Sequence, residues 1–178
     1  MSNIRYDRIH DTHVIIAPER LHRPDCNIDV DDKKQVNENC PFCEGHESMT
    51  PPEIFSRRKA GSFSNKEGWQ TRVVPNLYKA VQIEAPHQHH YGLFEHWEGF
   101  GAHEVIIDTP EHYTSMTEWS ERAVVEWLKT LRSRVNDLRR DLRIAHISLF
   151  KNEGIQAGAT QEHSHTQIIG LPIIPKAE

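Results

Sequence analysis

One stretch of this chain carries helical periodicity, and it lies between segments of β character. That imbalance limits the fold more than any other feature. Val124, Trp127, Leu128, Leu131, Val135 and Leu138 recur at helical spacing, as in an amphipathic helix whose apolar stripe lies on a sheet. Ser115-Met116-Thr117-Glu118 reads as a capping box at its start. Arg139 and Arg140 fall in its last turn, where they complement the dipole, so the expected helix has roughly 24 residues. Residues 12–16, 69–74, 104–108 and 144–150 are β-branched or apolar runs bounded by turn residues. Residues 77–81 read as a further short strand, and 25–39, 55–68 and 85–103 as loops. The order strand, long helix, strand, loop, strand predicts an α+β fold, an antiparallel β-sheet with one long amphipathic helix packed on it. A chain of 178 residues suits a single domain, 1–178.

The last strand carries the chemistry. A glycine-bearing loop from Gly154 to Thr160 runs into His163-Ser164-His165-Thr166-Gln167 and then an apolar run. On a strand, alternate side chains share a face, so His163, His165 and Gln167 point the same way. Two imidazoles so placed lie about 7 Å apart, from a rise of ~3.3 Å per residue. They are too distant to bond each other and near enough for neighbouring roles, one holding a metal and the other attacking a substrate. The His-x-His pair alone fits a metal pair or two packed core histidines equally well.

Cys40-Pro41-Phe42-Cys43 puts two thiols on a tight turn, half of a tetrahedral zinc site. A redox pair is the rival reading, but it needs a helix starting at the motif, and Gly45, Pro51 and Pro52 follow instead. His163 and His112, each beside a strand end, are the best-placed partners. Such a Cys₂His₂ set closes the sphere, so one zinc ion would be structural. His165 is then left to attack phosphorus, since neutral imidazole is a competent nucleophile near pH 7. Backbone N–H groups of Gly158 to Thr160, the Thr160 hydroxyl and the Gln167 amide would stabilise phosphoryl charge. Arg20 and Arg23 in a basic loop are the nearby cations of interest. Asn76 and Tyr78 flank a turn after Pro75. The tract His87, His89, His90 and His96 lacks a thiolate and reads as an exposed loop near the site. Cys26 reads as an ordinary thiol. A formal net charge of −5 argues against a nucleic-acid surface. No apolar run approaches the ~20 residues of a membrane span, so the expected location is the cytoplasm, away from membranes.

Four motifs in order now carry a resemblance: Cys-Pro-Phe-Cys, Arg-Val-Val-Pro-Asn, His-Glu-Val-Ile-Ile-x-x-Pro-x-His, and Lys-Asn-x-Gly-x-x-Ala-Gly-Ala-Thr-x-x-His-Ser-His-x-Gln. Together they resemble the galactose-1-phosphate uridylyltransferase family, a branch of the histidine-triad (HIT) superfamily that includes ADP-glucose phosphorylase-like enzymes. The resemblance implies an HIT-like sheet, with Cys40, Cys43, His112 and His163 as zinc ligands. It implies His165 as the nucleotidylated nucleophile and Gln167 as the glutamine that contacts the transferred phosphoryl group. Thr160 stands where the family usually has serine. Arg20, Arg23, Asn76, Tyr78 and Asn152 match positions that line the nucleotide and diphosphate. The implied reaction moves a nucleoside monophosphate from a nucleoside-diphosphate sugar to His165 and then to a sugar 1-phosphate. The alternatives are a phosphorylase or hydrolase of ADP-glucose type, or a non-catalytic nucleotide-binding half-domain. Ser164 departs from the family's usual proline between the histidines. Family members comprise two related halves and this chain matches the first, so a possible homodimer is one way to complete the sugar site.

Overall fold

The computed structural model describes residues 2–22 and 40–176; Arg23 and Cys26 lie outside them. In chain order the strands are β1 (Asn3–Asp7), β2 (Thr12–Ile16), β3 (Phe55–Arg58), β4 (Trp69–Pro75), β5 (His89–His90), β6 (His96–Glu98) and β7 (Ala102–Ile107). Helix α1 (Glu121–Leu138) follows, then β8 (His146–Phe150) and β9 (His165–Leu171). The expected antiparallel sheet forms, in the order β3-β4-β7-β9-β8. A second antiparallel sheet, β2-β1-β6-β5, stands beside it.

Several expectations need correction. Residues 55–68 contain β3, and 85–103 contain β5 and β6. Cross-strand pairs of His89 with Trp97 and His90 with His96 hold the latter two together. Residues 77–81 are not a strand, because side chains take their backbone donors: Tyr78 N–H donates to Asn76 Oδ1 at 2.9 Å and Ala80 N–H to His103 Nδ1 at 3.0 Å. The capping box at Ser115 caps only a 3₁₀ turn, Met116–Glu118. Trp119 then turns extended, and the α-helix restarts at Ser120, whose hydroxyl accepts from Ala123 N–H. The helix therefore has 18 residues, with Arg139 as its C-cap and Arg140 beyond it.

The two faces of the large sheet do different work. Val73, Ala102, Ile106 and Ile168 face the helix and pack with Leu138, Trp127, Leu131 and Val135. Leu128, read as part of the same stripe, is instead exposed. What the helix buries most deeply, besides Leu138, is polar: Glu126, Thr130 and Arg134, spaced four apart. Each meets a partner on the sheet. Glu126 pairs with Arg57 of β3, Thr130 with Thr71 of β4 at 2.5 Å, and Arg134 bidentately with Glu104 of β7 at 2.7 and 2.8 Å. The opposite face carries His103, Val105, His165 and Gln167. Ile4, Val81, Leu171 and Ile173 form a separate apolar cluster, with Trp97 and Ile169 packed against it. Among the described residues, no helix is long and apolar enough to cross a membrane.

Removing one partner of a buried ion pair leaves an uncompensated charge. Arg134→Met should therefore destabilise the fold by about 3–5 kcal/mol. Adding Glu104→Gln should recover much of that loss, read from denaturant midpoints. Additive losses in the double variant would show that the pair is not coupled.

Candidate functional site

Local hydrogen bonds explain how the cysteine turn reaches the histidine strand. Cys43 N–H closes the turn on the Cys40 carbonyl at 3.3 Å, and Glu44 N–H donates to the Pro110 carbonyl at 3.2 Å. Ser164 N–H donates to the Tyr113 carbonyl at 2.7 Å, and Asp108 N–H to the Ser164 carbonyl at 3.3 Å. The segment after β7 thus lies between the cysteine turn and the start of β9, bringing together residues 123 positions apart.

At this junction Cys40, Cys43, His112 and His163 place their ligating atoms within 4.8 Å of one another. His163 Nδ1 lies 3.6 Å from both sulfurs, and His112 Nδ1 lies 3.3 Å from the Cys43 sulfur. A tetrahedral zinc with bonds of ~2.3 Å to sulfur and ~2.0–2.1 Å to nitrogen puts S and N about 3.5 Å apart. The donor set therefore fits such an ion. His163 Nε2 faces the Thr109 carbonyl at 2.9 Å, which assigns the proton to Nε2 and leaves the Nδ1 lone pair toward the thiols. Burial holds the His163 imidazole down to about 4, so it is neutral at pH 7, as a ligand must be. Burial and the adjacent Cys40 push the Cys43 thiol up to about 12, a penalty that a bound cation reverses. The turn runs into a 3₁₀ turn, Glu47–Met49, and not into the helix that a redox pair requires.

The next residue pair faces a cavity of about 280 Å³. His165 Nδ1 lies 2.9 Å from the His163 carbonyl; with the proton on Nδ1, the lone pair is on Nε2. The buried ring meets Phe42 edge-on, with centroids 5.5 Å apart, and lines the cavity with Gln167. Arg20, Asn76, Tyr78 and Thr160 line it too. Arg20 Nη1 donates to the Tyr78 carbonyl at 2.6 Å, joining the two. Asn152 is half-buried beyond β8 and outside the cavity lining. In the glycine loop, Ala159 N–H already donates to the Gly154 carbonyl at 3.2 Å, so the expected backbone cradle is narrower than 158–160.

Two supports escaped the sequence reading. His103 Nδ1 accepts from Ala80 N–H at 3.0 Å, so its Nε2–H donates to Gln167 Oε1 at 3.1 Å. Asn76 Nδ2 adds a bond to the same oxygen at 3.4 Å. With Oε1 so engaged, the Gln167 amide NH₂ is the end available to a ligand. Behind the strand, Lys151 Nζ lies 2.7 Å from Asp108 Oδ2, 2.6 Å from Ser164 Oγ and 3.2 Å from the His165 carbonyl. Burial raises the Asp108 carboxyl, and the Lys151 ammonium opposes that rise. Both residues stand in the motifs quoted above, His103 opening one and Lys151 another. Their partners are distant in sequence, which hid their roles.

His163 also predicts an acid response. Its folded pKa of about 4 lies below the ordinary 6.5, so between these values the unfolded chain binds more protons. The stabilisation is complete above pH 6.5 and is lost as pH falls toward 4. The shift corresponds to roughly 3 kcal/mol. Urea midpoints measured across this window with a chelator present should fall for the wild-type chain and stay flatter for His163→Gln. Equal slopes would exclude His163 as the source.

Comparison with known proteins shows the family and the fold. The family model described as galactose-1-phosphate uridyl transferase, N-terminal domain, matches residues 1–175. An ADP-glucose phosphorylase of Arabidopsis thaliana is 32% identical over 180 residues, covering 97% of this chain and 49% of the relative. A solved structure of an ADP-glucose phosphorylase from Arabidopsis thaliana with bound ADP-glucose aligns with a TM-score of 0.64 at 28% identity. That alignment covers 98% of this chain and 50% of the other. An HIT family hydrolase from Clostridium thermocellum shares the fold, with a TM-score of 0.50 at 21% identity over 80% of this chain and all of its own. The chain spans about half the length of the phosphorylase relatives. This chain, with its HIT-like α+β fold, belongs to the galactose-1-phosphate uridyl transferase family, whose N-terminal-domain model matches residues 1–175.

Proposed function

We propose that this chain is the zinc-containing, nucleophile-bearing part of a nucleotidyltransferase. It moves a nucleoside monophosphate from a nucleoside-diphosphate sugar of UDP-glucose type to a hexose 1-phosphate. The observation that carries this reading is the orientation of His165. Its Nδ1–H is held by the His163 carbonyl while the ring lines the cavity. Nε2 attacks the α-phosphorus, an N–P bond forms, and the P–O bond to the sugar phosphate breaks. The sugar 1-phosphate leaves with the bridging oxygen. In the second half-reaction an acceptor phosphate oxygen attacks the same phosphorus, and the N–P bond breaks.

The imidazole gains positive charge as it is nucleotidylated, and the hydrogen bond to the His163 carbonyl strengthens with it. Gln167 offers its NH₂ to a phosphoryl oxygen, with His103 and Asn76 holding its other end. Arg20 and Thr160 stand along the same cavity for the diphosphate, with Arg23 and Asn152 as further candidates from the family pattern. Held by Cys40, Cys43, His112 and His163, zinc would supply structural cross-linking and no reacting group. A second reading replaces the sugar 1-phosphate acceptor with orthophosphate. The 32% identity to an ADP-glucose phosphorylase favours it.

Incubation with UDP-glucose or ADP-glucose, followed by intact-mass measurement, should show one nucleoside monophosphate on the wild-type chain and none on His165→Asn. The adduct names the base. Its clearance by hexose 1-phosphate supports transfer, and clearance by orthophosphate alone supports phosphorolysis. No adduct with either donor would falsify the His165 assignment. For the metal, Cys40→Ser should lower the zinc content and the thermal stability together; unchanged zinc would remove that cysteine from the site.

A further inference from the structure

The histidine tract read as a loop is a second donor cluster. We propose that His90, His96 and Glu98 form a solvent-facing site for a borderline divalent cation, such as zinc or nickel, separate from the cysteine junction. The β5–β6 register places His90 directly opposite His96. Glu98 lies two residues beyond His96 on the same strand, hence on the same face. One ligating atom from each residue lies within 4.8 Å of the other two. His90 Nε2 is 3.2 Å from Glu98 Oε1, and the two imidazoles stack at 4.5 Å and 11°.

The surroundings prepare the donors. His96 Nδ1 lies 3.0 Å from the Phe94 carbonyl. That bond fixes the tautomer and leaves the Nε2 lone pair as the ligand, the outer support that metal-bound histidines normally have. On the reverse face His89 stacks on Trp97 at 3.9 Å and contacts Glu95 at 2.9 Å, with Arg8 also on Glu95. That packing fixes the hairpin and leaves the outer face for ligation. His90 and Glu98 are 38% and 29% exposed, open enough for an ion to enter. The nearby cation Arg5, opposite His96, donates through Nε to Asn3.

Two imidazoles and one carboxylate suit zinc, nickel or copper and disfavour magnesium and calcium. Parallel rings cannot both aim at one ion, so binding requires rotation about χ2, a torsion with a broad minimum. Three protein donors leave remaining positions to water. The competing account is a His90–Glu98 ion pair with no metal affinity.

Equilibrium dialysis of the full chain against zinc, followed by metal analysis, separates the two accounts. The wild-type chain should bind one more ion than a His90→Gln/His96→Gln variant, whatever the cysteine junction holds. With cobalt as the probe, the additional ion should bind without extra thiolate-to-metal charge-transfer absorption. His90→Gln alone should also lose it, with far-ultraviolet circular dichroism confirming the fold. Equal metal content in wild type and double variant overturns the site, as does extra charge transfer on filling it.

Discussion

His163 bonds in three directions, and the rest of the site depends on it. Its Nδ1 sits between the two sulfurs, its Nε2 faces the Thr109 carbonyl, and its own carbonyl receives the His165 ring. One buried residue therefore links the cysteine turn, the segment after β7 and the orientation of the neighbouring histidine. Position makes this possible, because His163 sits in the bend two residues before His165 opens β9.

The large sheet keeps its two sides apart. The helix side is closed by apolar packing and by a polar row, Glu126, Thr130 and Arg134, each matched across to the sheet. Such pairs stabilise less than apolar packing of equal volume, but they penalise misplacement of the helix. Thr166, between His165 and Gln167, faces this side and accepts from Trp127 Nε1–H at 3.0 Å. A slip of one residue in β9 would exchange the roles of these positions.

Much of this was legible in the residues. Alternation placed His165 and Gln167 on one face of β9, whereas His163, expected on the same strand, sits in the bend before it. The Cys-x-x-Cys turn pointed to half of the Cys₂His₂ junction. The second sheet was not legible, because β5 and β6 have two and three residues and are polar. The helix start was misplaced because a sound capping box at Ser115 served a 3₁₀ turn. The buried polar row gave no signal in the spacing, since its partners Arg57, Thr71 and Glu104 lie far off in sequence. His103 and Lys151 were hidden for the same reason: spacing along a chain says nothing about contacts 64 or 43 residues away.

The contact between Cys40 and His163 spans 123 positions, which has a consequence for the order of assembly. Closing a flexible loop of that length costs about 4 kcal/mol in chain entropy beyond a constant. Contacts so distant in sequence form after local hairpins and helices. During synthesis the junction cannot close until His163, just before β9, has emerged. His165 therefore acquires its orientation late, when nearly all of this chain is already in place.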